Sequence, residues 1–188
     1  LQTEMQRKNL LDTFGYEAKT FVNTGFIYND EIGAEVAALG FKGIITEGAK
    51  HVLGWKSPNY VYSAAANKNV GLLFRNQSLS EDIALRFQQG LDASQYMSWI
   101  EQAPDSEQVY LIAANFDVIG GIHPASTGIF DFFKALPVNA AQRNIRFATP
   151  IEIFENFHHI QNGSLKNDQT TFLHKLIIFN SHSTRKFM

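Results

Sequence analysis

Short apolar runs of strand length alternate with amphipathic runs of helix length along most of this chain, and that order leaves few folds open. Residues 18–26, 41–46, 70–74, 109–114 and 145–148 read as strands, with 60–63 as a further short candidate. The intervening stretches read as helices. Asn29 and Asp30 offer an N-cap for a helix carrying Ile32, Val36 and Leu39, and Gly40 closes it as the residue after the C-cap. A brief helix follows at 47–53. Ser80 is the capping candidate for 81–89, and a second helix spans 94–102. Residues 127–136 are helical up to Pro137, and Pro150 opens a helix to residue 157 from its first position. Strand then helix, repeated, demands parallel strands joined by crossover helices, hence an α/β layer or barrel.

In such folds the chemistry gathers at the C-terminal ends of the strands. Here those ends carry Asn23-Thr24-Gly25, Thr46-Glu47-Gly48, Phe74-Arg75-Asn76 and Asn115-Phe116-Asp117. Beyond residue 163 the periodicity fades. Residues 172–179 fit a strand or a short helix, and 181–188 read as disordered.

Composition narrows the partners. With 188 residues, 45% of them hydrophobic and 16 of them Phe, the chain can bury the core of one domain. A net charge of −2 gives no electrostatic ground for nucleic acid or an anionic membrane surface. No apolar run approaches the roughly 20 residues that span a bilayer. The chain has no cysteine, which removes disulfides, thiolate catalysis and cysteine-based zinc sites, and fits a cytoplasmic location. The start, Leu1-Gln2-Thr3-Glu4-Met5-Gln6-Arg7-Lys8, has neither an initiating Met nor an apolar signal core. It reads as the interior of a helix, so the expectation is a piece of a longer protein.

Four ordered motifs carry a family resemblance. Phe21-Val22-Asn23-Thr24-Gly25-Phe26-Ile27-Tyr28-Asn29-Asp30 resembles F-R-N-T-E-L-I-Y-N-D. Thr46-Glu47-Gly48 followed by Ser57-Pro58-Asn59-Tyr60-Val61-Tyr62 resembles T-E-G and S-P-N-Y-L-Y. Residues 72–83 resemble L-L-L-R-N-Y-R-L-S-D-D-I. Residues 115–132 resemble D-Y-E-T-F-G-E-H-x-x-x-T-G-I-F-D-F, and Arg146-Phe147-Ala148-Thr149-Pro150 follows at a fitting distance. These are motifs of glycoside hydrolase family 57, α-amylase type. The resemblance implies an incomplete (β/α)7 barrel with parallel strands and outer helices, covering 1–157, with a divergent or disordered tail at 158–188. It also implies retaining chemistry on an α-glucan or maltooligosaccharide. The early barrel strands of the family would precede Leu1. The missing barrel half or an intact homologue is therefore the protein partner to expect.

The departures from the motifs bear on chemistry. A retaining glycosidase needs two carboxyl groups about 5–5.5 Å apart, one as nucleophile and one as acid/base. The family's nucleophile position is Gly25 here, and its acid position is Asn115. Glycine offers no nucleophile, and an amide does not donate a proton to a leaving oxygen at neutral pH. The G-E-H of the motif has become Gly120-Gly121-Ile122, losing a further acid and a His. The expectation is an inactive homologue. The alternatives are an active hydrolase or glucanotransferase with displaced carboxylates, and a non-enzymatic partner of an intact amylase. Glu47, Trp55, Arg75, Asp117 and His123 are the candidates for holding sugar. Carboxylates and Arg75 would take hydroxyls, while Trp55 and Tyr60 offer ring faces to a pyranose. His158 and His159 with His123, His174 and His182 lack i,i+4 spacing and interleaved acids, so neither a metal nor a cofactor is expected. Gly120-Gly121 reads as a turn.

Overall fold

A computed structural model describes residues 2–104, 107, 109–161 and 175–181. The elements in chain order are α1 Gln2–Phe14, β1 Thr20–Val22, α2 Asp30–Ala38, β2 Gly43–Glu47, α3 Lys50–Leu53, β3 Val61–Ser63, β4 Gly71–Arg75, α4 Gln77–Ala84, α5 Ala93–Glu101, β5 Val109–Asn115, α6 Ile129–Gln142, β6 Arg146–Phe147, α7 Pro150–Gln161 and β7 Lys175–Ser181. The strands form one sheet in the order β1-β2-β4-β5-β7-β6. Every pairing along that path is parallel. The sheet curls into a half-barrel with helices around it. The incomplete α/β barrel expected from the sequence is therefore the fold.

Several boundaries differ from the sequence reading, each for a physical reason. The strand β3 runs antiparallel to β4, with Val61 opposite Leu73 and Ser63 opposite Gly71. Residues 64–70 are too few for the crossover that a parallel pair needs. The helix α4 is capped by Asn76, whose Oδ1 accepts from the Leu79 N–H at 3.0 Å. Ser80, the expected cap, is fully buried. Its hydroxyl donates to the Asn76 carbonyl at 2.6 Å and accepts the Ala113 N–H of β5 at 3.1 Å. Asp92 caps α5, accepting from the Gln95 N–H at 2.8 Å. Pro137 lies inside α6 rather than ending it. Leu136 and Ala140, both buried, hold the last turns against the core, and packing outweighs the lost helical hydrogen bond.

The cap of α2 is as read: the Asn29 side chain accepts from Ile32 N–H at 2.8 Å, and Gly40 adopts φ +80°. In the 158–188 stretch, α7 runs on to Gln161, and β7 pairs with β5 from Val109↔Lys175 to Asn115↔Ser181. Residues 172–174 of the expected strand or helix, and 182–188, lie outside the described residues.

The crossover helices cover one face of the sheet. Ile44 and Leu72 pack there with Val36 and Phe41, and Tyr110 and Ile112 pack with Ile83, Met97, Ile129 and Leu136. Ile45, Leu73, Val109 and Leu111 point the other way and pack with Ile153 and Phe154 of α7. That second face is the one a closed barrel would turn inward.

Candidate functional site

Parallel pairing brings the C-terminal ends of β1, β2, β4 and β5 to one end of the sheet. The loop after β1 is built by Asn23. Its Oδ1 accepts from the N–H groups of Gly25 at 3.1 Å and Ile27 at 2.9 Å, and its Nδ2 donates to the Ile27 carbonyl. Phe26 adopts φ +51°, a left-handed conformation unusual for a residue with a Cβ. Its carbonyl compensates by accepting both the Glu47 N–H at 3.0 Å and the Thr46 hydroxyl at 2.7 Å. Gly25 is therefore presented on an exposed turn that Asn23 shapes and the Phe26 carbonyl fastens to the end of β2. A Cβ there would meet the tip of Ile27 at 3.2 Å.

Glu47 and Arg75 stand opposite one another in the β2–β4 register. Arg75 Nη1 donates to Glu47 Oε2 at 3.0 Å, and its Nε donates to the Ala113 carbonyl at 2.9 Å. One guanidinium thus ties three strands together. Glu47 Oε1 is buried and takes no hydrogen bond among the described residues. Asn115, which ends β5, shares the face of Leu111 and Ala113 by strand alternation, and is exposed. The nucleophile and acid positions of the motifs, Gly25 and Asn115, thus lie at the same end of the sheet, with Glu47 and Arg75 on the strands between them.

The remaining candidates separate. Asp117 is exposed on the turn after β5. Trp55, in the loop after α3, is 93% exposed. His123 does not face the strand ends. It is buried against Phe87, its ring nitrogens 3.2 Å from the Gln88 side-chain nitrogen and 3.1 Å from the Ala84 carbonyl. The backbone explains the turn inward: the Ile122 and His123 N–H groups donate to the Asp117 and Val118 carbonyls. Gly120 has φ +94°, and Gly121 sits so close to Asp117 that a Cβ would lie 2.5 Å from its carbonyl oxygen. The turn expected at Gly120-Gly121 is present, and it carries His123 into the core.

Sequence reasoning missed a network beside these strand ends. Glu107 accepts from Ser57 Oγ and Asn59 Nδ2, both at 2.6 Å, and from the Tyr110 hydroxyl at 2.7 Å. Asn59 also accepts from Asn76 Nδ2 at 3.0 Å, and its carbonyl accepts the Val109 N–H at 3.1 Å. Burial and Glu107 hold the Tyr110 phenol well above its ordinary range, so it remains a donor. The Ser57–Tyr62 motif was the only signal, and nothing in it points to Glu107. The network locks the start of β5 beside β4, where direct pairing is limited to Arg75↔Leu111. Among the described residues no group of three His, Asp or Glu is placed to hold a metal, and no helix is long and apolar enough to cross a membrane. His174 and His182 lie outside the described residues.

Comparison with known proteins agrees with the motifs. The model of glycosyl hydrolase family 57 matches residues 1–165. A curated protein of Methanocaldococcus jannaschii, described as "Putative alpha-amylase", is 40% identical over 145 residues, which cover 74% of this chain and 30% of that protein. The chain thus spans about a third of the length of that relative. No solved structure matches.

Proposed function

The chain belongs to glycosyl hydrolase family 57, and on that premise we propose that it is an α-amylase-like member that holds an α-glucan without hydrolysing it. The observation that carries the reading is the pair of strand ends at Gly25 and Asn115. Asn23 holds the turn at Gly25 through the Gly25 and Ile27 N–H groups, and Asn115 ends β5, yet neither position bears a carboxylate. Without a nucleophile no glycosyl-enzyme forms, and without an acid the leaving sugar departs as an alkoxide. General acid–base help is worth about 10²–10⁴-fold by itself. Glu47 stands in for neither group in this reading, because its Oε2 accepts from Arg75 and its Oε1 is buried. The exposed indole of Trp55 is a face for a pyranose.

The test is binding beside turnover on one preparation. Titration calorimetry with maltoheptaose should show binding, while a reducing-end label should show no hydrolysis above the buffer rate. Turnover that Asp117→Asn abolishes would replace this reading with an active enzyme using a displaced acid. Absence of both binding and turnover would leave a non-enzymatic partner of an intact amylase as the better account.

A further inference from the structure

A strand has two edges, and those of β4 are shared unequally. The register with β2 runs along one edge from Gly43↔Gly71 to Glu47↔Arg75. On the other edge β3 pairs with residues 71–73, and β5 pairs only at Arg75↔Leu111. The segment entering β3 carries the ladder on to β5, since the Asn59 carbonyl accepts the Val109 N–H at 3.1 Å. Residues 59–63 are thus a wedge that parts β4 from the start of β5 and lets the two meet only at the last residue of β4. Arg75 stands at that meeting point. No adjacent register pair supports it among the described residues. Its neighbour Asn76 donates its N–H to the Leu111 carbonyl at 2.8 Å.

The wedge is set from Glu107. An ionised carboxylate only accepts hydrogen bonds. Asn59, which is 6% exposed, therefore turns its Nδ2 to Glu107 Oε2 at 2.6 Å and its Oδ1 toward Asn76. Asn76 in turn donates from Nδ2 and keeps Oδ1 for the Leu79 N–H at the start of α4. One acceptor at 107 thus fixes the sense of two amides in series. The same carboxylate takes the Ser57 hydroxyl, and Ser57 Oγ accepts the Asn59 N–H at 3.1 Å, so the backbone entering β3 is held as well. Tyr62 of β3 fastens the wedge to the same segment, its hydroxyl donating to the Ser57 carbonyl at 2.6 Å. We propose that Glu107 is a positioning residue for the strand-end site: through Asn59 and Asn76 it fixes where β4 meets β5, and so the setting of the Arg75–Glu47 pair. The contacts of the guanidinium to the Ala113 carbonyl and to Glu47 both start from an Arg75 backbone held opposite Leu111. The consequence for sugar rests on the proposed holding of a glucan, whereas the consequence for Arg75 does not.

The test follows the Arg75 Nε–H resonance of a 15N-labelled chain, identified by its loss in Arg75→Lys. In the unmodified chain that proton, bonded to the Ala113 carbonyl, should exchange slowly with water. Glu107→Ala should speed its exchange at least about 10-fold, because the meeting point then opens locally. The same variant should weaken maltoheptaose binding roughly 3- to 10-fold in calorimetry, the worth of about one hydrogen bond. Glu107→Asp retracts the carboxylate by one methylene and makes the same comparison if the alanine variant does not fold. Tyr110→Phe removes a donor to Glu107 but leaves the two amides in place. It should lower the urea midpoint while keeping Arg75 exchange and glucan binding within about twofold of the parent. Fast exchange of the Arg75 proton in the parent, or exchange as slow in the folded Glu107 variants, would overturn the proposal. An equal acceleration in Tyr110→Phe would overturn it too, by showing a general loosening. A parent that binds no maltoheptaose would refute glucan holding instead, and the exchange comparison would still decide for or against Glu107.

Discussion

Two positions where the resembling motifs carry Glu are glycine here, and the structure predicts that only one accepts the residue back. At Gly25 an added Cβ meets Ile27 Cδ1 and Cγ1 at 3.2 Å and Asn23 Oδ1 at 3.8 Å. Ile27 is 65% exposed, so its side chain can rotate away. Gly25→Glu should therefore change stability by no more than about 0.5 kcal/mol, the usual range of surface substitutions. At Gly121 the Cβ would lie 2.5 Å from the Asp117 carbonyl oxygen, which belongs to the backbone and accepts the Ile122 N–H at 2.7 Å. Relief requires moving that carbonyl, at a cost of about 1–3 kcal/mol for overpacking and about 1 kcal/mol for the weakened hydrogen bond. Gly121→Glu should thus cost about 2–4 kcal/mol, or roughly 4–16 °C in Tm for a chain of this size. Urea denaturation of both variants, followed by circular dichroism, makes the comparison. If Gly121→Glu is no more damaging than Gly25→Glu, the tight turn described at 117–123 is wrong.

Other perturbations separate binding, scaffold and titration. Trp55→Ala should weaken maltoheptaose binding about 3- to 10-fold, the worth of one stacked ring, with no change in Tm because the indole touches little else. Arg75→Ala should lower stability by about 1–3 kcal/mol in a urea titration, since it leaves the Glu47 carboxylate and the Ala113 carbonyl without their donor. Arg75→Lys should recover only part of this, because one ammonium does not reproduce the forked contact. Burial holds the Tyr96 phenol well above its ordinary range, while its hydroxyl donates to the Leu79 carbonyl. An unfolded tyrosine titrates near pH 10, so this contribution is complete below about pH 10 and is lost as pH rises through the folded-state value. The urea midpoint of the parent should fall above about pH 10, and Tyr96→Phe should flatten that fall by up to about 1.4 kcal/mol per pH unit.

What the sequence made legible follows from how local each determinant is. The parallel core strands were readable because β2, β4 and β5 are apolar on both faces, as strands buried between two layers must be. The cap of α4 was not. Asn76 and Ser80 are both capping types, and the Ser80 hydroxyl is engaged elsewhere, accepting from the Ala113 N–H of β5. The inward course of His123 depends on Phe87 and Gln88, some 35 residues earlier in the chain. The seat of α7 was equally hidden, since Gly43 and Gly71 have meaning only once they are neighbours beneath Phe154. At the strand ends the motifs marked the right segments, but Glu107 carries no local pattern and emerged only from its three donors.

The hydrogen bonds that hold the turn after β1 make no use of the side chain at position 25. The Gly25 and Ile27 amides donate to Asn23 Oδ1, and the Thr46 hydroxyl and Glu47 N–H donate to the Phe26 carbonyl. A carboxylate at that position adds nothing to the fold and carries a desolvation cost if anything closes over it. Losing it therefore leaves stability intact, so selection for folding alone does not retain a nucleophile at 25. Positions 120–123 behave in the opposite way. There the backbone packs tightly around Gly121, and His123 is part of the core beside Phe87. Restoring Glu at 25 and Asp at 115 replaces side chains on an unchanged frame. Restoring the acid at 121 requires a different loop. If the proposed loss of activity holds, its reversal at 25 and 115 is chemically simple, whereas the tight turn at 117–123 is a barrier that substitution alone does not remove.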